Sequence, residues 1–145
     1  MTFPHTPPHP PLRRWIAPVA LAALTAAAPW LAHAADTTPA QQLARFSTEA
    51  GAPGQADRGR VFFTTRHGAE WSCSSCHGNP PTQNGKHAST GKAIDPLAPA
   101  ANAAAFSSTA KVDKWFRRNC KDVAQRECSA QEKADVLAFL MGLKP

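Results

Sequence analysis

Apolar residues along this chain recur at helical spacing, and no stretch shows the strict alternation of a half-buried strand. Thr38 to Glu49 are good helix formers, and Gly51-Ala52-Pro53-Gly54 breaks the pattern. Ala56 to Phe63 resumes it, with Gly59 and Phe63 on one face. A glycine there lets a second helix come close while the ring packs beside the contact. Ser107-Ser108-Thr109 offers N-caps for a helix from Lys111 to Cys120. Its apolar stripe is Val112, Trp115, Phe116 and Asn119, with Lys111, Lys114, Arg117, Arg118 and Lys121 largely outside it. Ser129-Ala130-Gln131-Glu132 matches a capping box and opens a last helix. Its inward positions are Ala134, Leu137, Leu140 and Met141, flanked by Val136 and Phe139. The stretches 78–87 and 90–99 are rich in turn formers and are expected to be irregular. The pattern predicts an all-α domain of three helices, the first interrupted at Gly51–Gly54, with no internal repeat.

The N-terminus changes the picture. A Pro-rich leader carries Arg13 and Arg14, an apolar run follows from Trp15 to Leu31, and Ala32-His33-Ala34 closes it. That order is a secretory signal peptide, with an uncleaved anchor as the alternative. Arg13-Arg14 is compatible with twin-arginine export, but the general secretory route is the expectation. Cleavage after Ala34 leaves one periplasmic domain, residues 35–145, with 14 basic side chains against 10 acidic and a net charge of +4. That surplus could steer an acidic redox partner. No basic run with interleaved aromatics supports nucleic-acid binding.

The chemistry concentrates in Cys73-Ser74-Ser75-Cys76-His77. C-x-x-C-H is the attachment motif of a c-type haem: two thiols on one helical turn add to the vinyl groups, and His77 reaches the iron as proximal ligand. A zinc site would need a second metal-ligand pair, but Cys120 and Cys128 lie eight positions apart. A thioredoxin-like pair would sit in a βαβ pattern that is missing here. In an oxidising compartment Cys120 and Cys128 are disulfide candidates, with two free thiols as the alternative. Trp71, Ile94, Leu97, Trp115 and Phe116 are candidates to line the haem pocket. Lys86, His87 and Lys92 are candidate propionate partners, and a carbonyl near Pro80 or Pro81 is expected to accept the second ring N–H of His77. His67 is read as a loop histidine.

Most electron-transfer cytochromes c hold iron between histidine and methionine. The mature chain contains only Met141, inside the last helix, where it reads as core filler. Asn119, the one polar residue on its stripe, is the geometric candidate for the sixth position, with a backbone hydrogen bond at the helix end as the alternative.

Lys114-Trp115-Phe116-Arg117-Arg118-Asn119-Cys120, Arg126-Glu127-Cys128 and Gln131-Glu132-Lys133-Ala134-Asp135 resemble the sphaeroides haem protein family. So do Phe62-Phe63-Thr64-Thr65-Arg66-His67-Gly68 and Thr90-Gly91-Lys92-Ala93-Ile94-Asp95-Pro96-Leu97-Ala98-Pro99. The resemblance implies a class I cytochrome c-like fold around one covalent haem c, fixed by Cys73 and Cys76. It implies His77 and Asn119 as axial ligands and a Cys120–Cys128 disulfide. It further implies electrons from a dihaem cytochrome c and a membrane cytochrome b, and a small diatomic ligand (O2, NO or CO) bound on reduction. The competing expectations are a plain electron carrier whose sixth position never opens, and a haem enzyme acting on oxygen, NO or peroxide.

Overall fold

Helix ends fall where capping chemistry puts them in a computed structural model, which describes residues 35–145. The expected signal peptide, residues 1–34, lies outside the described residues. Helix α1 spans Pro39–Ala50: the Thr38 side chain accepts the Gln41 N–H at 3.2 Å, and Gly51 ends the helix in a left-handed conformation at φ 71°. Helix α2 is Ala56–Thr64, α3 the single turn Cys73–His77, α4 Thr109–Ala124 and α5 Ala130–Gly142. The capping box forms at α5, with Ser129 Oγ accepting the Glu132 N–H at 3.2 Å and Glu132 accepting the Ser129 N–H at 2.8 Å.

The all-α class holds, with four corrections of detail. The haem-motif turn and the separate α1 and α2 raise the helices to five among the described residues. The stretches expected to be irregular contribute a minimal antiparallel pair, β1 (Gly85–Lys86) with β2 (Ala93–Ile94), Gly85 opposite Ile94. Helix α4 runs past Cys120 to Ala124, because Asp122, Val123 and Ala124 continue it until Gln125 turns left-handed at φ 57°. Asn119 therefore sits a full turn before the helix end. Met141 is 37 % exposed and is not core.

Helix α5 is the central strut. Ala134, Val136, Leu137, Phe139 and Leu140 are all buried, because α1 and α2 both pack against it. One core cluster joins Phe46, Val112, Ala134 and Leu137, a second joins Phe63, Val136, Phe139 and Leu140, and Phe106 and Phe116 touch both. Gly59 does what its spacing predicts: a Cβ there would overlap the backbone carbonyl of Asp135. Asp135 itself is buried, with its carboxylate accepting from the Gln55 N–H at 2.7 Å, Arg58 at 2.7 and 2.8 Å, and Gln131 at 2.9 Å. Among the described residues no helix is long and apolar enough to cross a membrane.

Candidate functional site

The turn α3 is held from two sides. The Ser72 N–H donates to the Ser75 hydroxyl at 3.0 Å, closing its first turn. Gly85 lies so close to the turn that a Cβ would overlap the Cys76 carbonyl, and the Ala88 N–H donates to Cys76 Sγ at 3.3 Å. Strand β1 and the loop after it thus hold Cys76 and His77 in place. Cys120 and Cys128 form a disulfide with Cα atoms 5.6 Å apart, while Cys73 and Cys76 are in no disulfide. This is the division that the sequence spacing suggested.

These elements enclose a cavity of about 520 Å³, within the rough 300–1,000 Å³ range of cofactor sites. Cys73, Cys76 and His77 line it, and so do Trp71, Ile94, Leu97, Phe116 and Asn119, so the sequence candidates converge on one chamber. Trp115 lines it too, but it is 49 % exposed and not part of the buried stripe. The helical period puts it beside Val112 and Phe116, yet no element packs over it, and Lys114 and Arg118 lie against its ring instead. Of the propionate candidates only His87 reaches the chamber, its Nδ1 accepting the Thr90 N–H at 3.3 Å, which leaves the proton on Nε2. Lys86 and Lys92 do not line it; the cations that do are Lys111 and Arg118 on α4, which sequence reasoning assigned to solvent. Their i, i+7 spacing on one helix, four residues either side of Trp115 or closer, was the signal available.

His77 is the residue whose surroundings ask for a missing partner. Its Nδ1 is buried without a hydrogen bond, the one such side-chain atom among the described residues. The carbonyl expected to accept it is otherwise engaged at Pro81, where the Leu97 and Ala98 N–H groups donate at 3.1 and 3.0 Å. An unpaired buried polar atom costs roughly 1–3 kcal/mol; the bond expected between this nitrogen and a carbonyl is not formed, while the other ring nitrogen is the one left for a metal. Burial holds the imidazole below its usual pKa, keeping it in the neutral form that donates a lone pair to a metal. Burial also pushes the Cys73 thiol up to about 11, partly countered by a backbone hydrogen bond. On α4 the Asn119 carboxamide lines the chamber and makes no side-chain hydrogen bond among the described residues, so the helix-end bond offered as its alternative role is not formed. Met141 is not part of the lining. Two thiols one turn apart, an adjacent neutral imidazole and a free amide on an apolar chamber fit a covalent c-type haem. His67, by contrast, donates Nε2–H to the Phe62 carbonyl at 2.8 Å and stacks on the Phe62 ring, staying a structural histidine.

The chain is similar to known proteins in sequence and in fold. A family model described as a domain of unknown function (DUF1924) matches residues 49–140. The cytochrome c-type protein SHP of Cereibacter sphaeroides is 47 % identical over 113 residues, which cover 75 % of this chain and 87 % of that protein. Cytochrome c'' of Methylophilus methylotrophus is 39 % identical over 123 residues, covering 76 % and 85 %. The solved structure of oxidised SHP, an oxygen-binding cytochrome c, has a TM-score of 0.70 at 46 % identity, covering 74 % of this chain and 99 % of that one. Oxidised cytochrome c'' from the same Methylophilus species gives a TM-score of 0.66 at 32 % identity, covering 74 % and 95 %.

Proposed function

Because this chain belongs to the sphaeroides haem protein family and carries one covalent haem c, we propose that it is a periplasmic cytochrome that accepts electrons and, once reduced, takes up a diatomic gas beside Asn119. In this reading residues 1–34 are an export leader and residues 35–145 the haem domain. Cys73 and Cys76 hold the haem, His77 binds its iron on one side and Asn119 on the other. The donors are other cytochromes, a dihaem cytochrome c and a membrane cytochrome b by family likeness. The observation that carries the reading is the Asn119 carboxamide, free on the chamber wall one residue before the Cys120–Cys128 disulfide, with Met141 elsewhere.

A haem held in the chamber by Cys73, Cys76, His77 and Asn119 would supply a one-electron iron couple and a place for a small gas. Asn119 supplies the gate. Its amide oxygen is a hard, neutral donor that favours the more positive ferric state, whereas a thioether favours the ferrous state. With the iron reduced, the Asn119 carboxamide would hold it less well and would be free to turn, so that its N–H could donate a hydrogen bond to the guest. His77 stays in place, fixed by the short turn behind it and packed near Phe63 with ring centroids 6.4 Å apart. The protein SHP, 47 % identical, is an oxygen-binding cytochrome c, which supports the same class of guest here.

The visible spectrum of the ferrous protein tests this. A high-spin spectrum that changes promptly with carbon monoxide is expected, and Asn119→Met should give a low-spin ferrous form with a higher potential where the thioether reaches iron. A wild-type ferrous protein already low-spin and indifferent to carbon monoxide would leave a plain electron carrier.

A further inference from the structure

Helix α4 carries five cations, Lys111, Lys114, Arg117, Arg118 and Lys121, against two carboxylates, Asp113 and Asp122. Asp113 is already paired with Arg45 at 2.6 Å. Among the described residues every ion pair is made by Arg45, Arg58 or Arg126; Lys111 and Arg118 line the haem chamber, and Lys114, Arg117 and Lys121 outside it have no carboxylate partner. Trp115, 49 % exposed, borders them on one side, with Lys114 Nζ and Arg118 Cζ each 5.4 Å from its ring centroid and Asp122 on its own side of the helix. The same ring lines the haem chamber next to Lys111, Arg118 and Asn119. Val61 and Met141, the other exposed large apolar side chains among the described residues, lie on α2 and α5.

We propose that this face of α4 is the docking surface for an acidic redox protein, with Trp115 as an apolar contact at its edge and the stripe of cations beside it for steering. The proposal rests on the reading of the chain as an electron acceptor and adds where the donor binds. Unpaired like charges repel one another and are retained at a cost unless a complementary surface meets them. Aromatic and arginine side chains are enriched among the residues that carry binding energy. A lipid surface would need several apolar side chains to insert, and α4 exposes only Trp115. A partner seated here lies at the mouth of the chamber, and one electron passes from it to the haem: the partner is oxidised by one electron, ferric iron becomes ferrous, and no bond is made or broken.

Stopped-flow reduction of the ferric holoprotein tests the surface, with a reduced acidic plant-type ferredoxin as the probe. Lys114→Glu/Lys121→Glu removes steering without touching the chamber wall, while Arg60→Glu/Lys144→Glu makes the same charge change elsewhere. The α4 variant should lose about tenfold or more of the second-order rate at low salt and most of its salt dependence, and the control about threefold or less. Photogenerated neutral lumiflavin semiquinone should reduce all three proteins at one rate. Equal slowing by both variants, a salt-indifferent wild type, or a matching loss with lumiflavin would each overturn the surface. The carbon monoxide test uses chemically reduced protein and no partner, so its failure would remove the gas-binding reading and leave this one standing.

Discussion

The two halves of the domain treat polar groups in opposite ways. Where α1, α2 and α5 meet, the buried polar side chains are satisfied by other parts of the chain. Asp135 collects donors from Gln55, Arg58 and Gln131, and Gln42 donates to Thr37 at 2.9 Å and Thr109 at 3.1 Å. Where α3 faces the chamber with α4 along its wall, His77 Nδ1 and the Asn119 carboxamide have no protein partner and Trp115 stands half in water. The first half is a finished scaffold. The second is a chamber wall, whose side chains are arranged around a space rather than on one another.

The sharpest break in that contrast is chemical. Cys73→Ala/Cys76→Ala should abolish covalent haem, and each single change should weaken its retention; haem staining of a denaturing gel reads it, and an unchanged band in the double variant would refute attachment there. Next comes Gly59→Val, aimed at the scaffold, where a side chain meets the Asp135 carbonyl. A loss of about 3 kcal/mol is expected in denaturant unfolding of the holoprotein. Asp135→Asn should cost about 2 kcal/mol, less than a fully buried pair because Arg58 is half exposed. Burial alone would raise the Asp135 pKa, but hydrogen bonds from Arg58, the Gln55 N–H and Gln131 outweigh it and hold the carboxyl below its usual range. Its contribution is therefore complete above the unfolded carboxyl value of about 4 and is lost as pH falls through the lower folded value. Urea midpoints between about pH 5 and 3 should fall less steeply in the variant than in wild type. They should not become flat, since the hydrogen bond from Arg126 lowers Glu132 in the same direction. The smallest effect belongs to the chamber half: Trp115→Ala should cost about 1 kcal/mol in the holoprotein, since the ring lines the chamber yet is half exposed. A loss as large as that at Asp135 would show that Trp115 is core after all.

Local signals were legible in the sequence because they need only neighbours. Thr38, Gly51 and the Ser129–Glu132 box stop and start helices through contacts within four residues, and C-x-x-C-H carries its chemistry in five. Gly59 was legible for the same reason, since a glycine beside an aromatic on one helical face announces a close neighbour. Asp135 was not. Its burial depends on Arg58, 77 residues earlier in the chain, and a charged side chain read by period alone belongs outside. Trp115 was legible as a chamber residue and lines the chamber, but how far its face is covered depends on the tertiary arrangement, which the period does not give. The β1–β2 pair escaped because two residues a side are too few to show alternation.

The Cys120–Cys128 link has a kinetic side. It ties the last turns of α4 to the start of α5, so the backbone at Asn119 has little room to move and the carboxamide can leave its place only by side-chain rotation. If Asn119 is the axial ligand, it competes as a tethered rival whose effective concentration is about millimolar or above. A visiting gas then meets only the fraction of molecules in which the amide is turned away, and its apparent dissociation constant is the intrinsic one divided by that fraction. Selectivity between gases would follow from how far each outcompetes a ligand that never diffuses off.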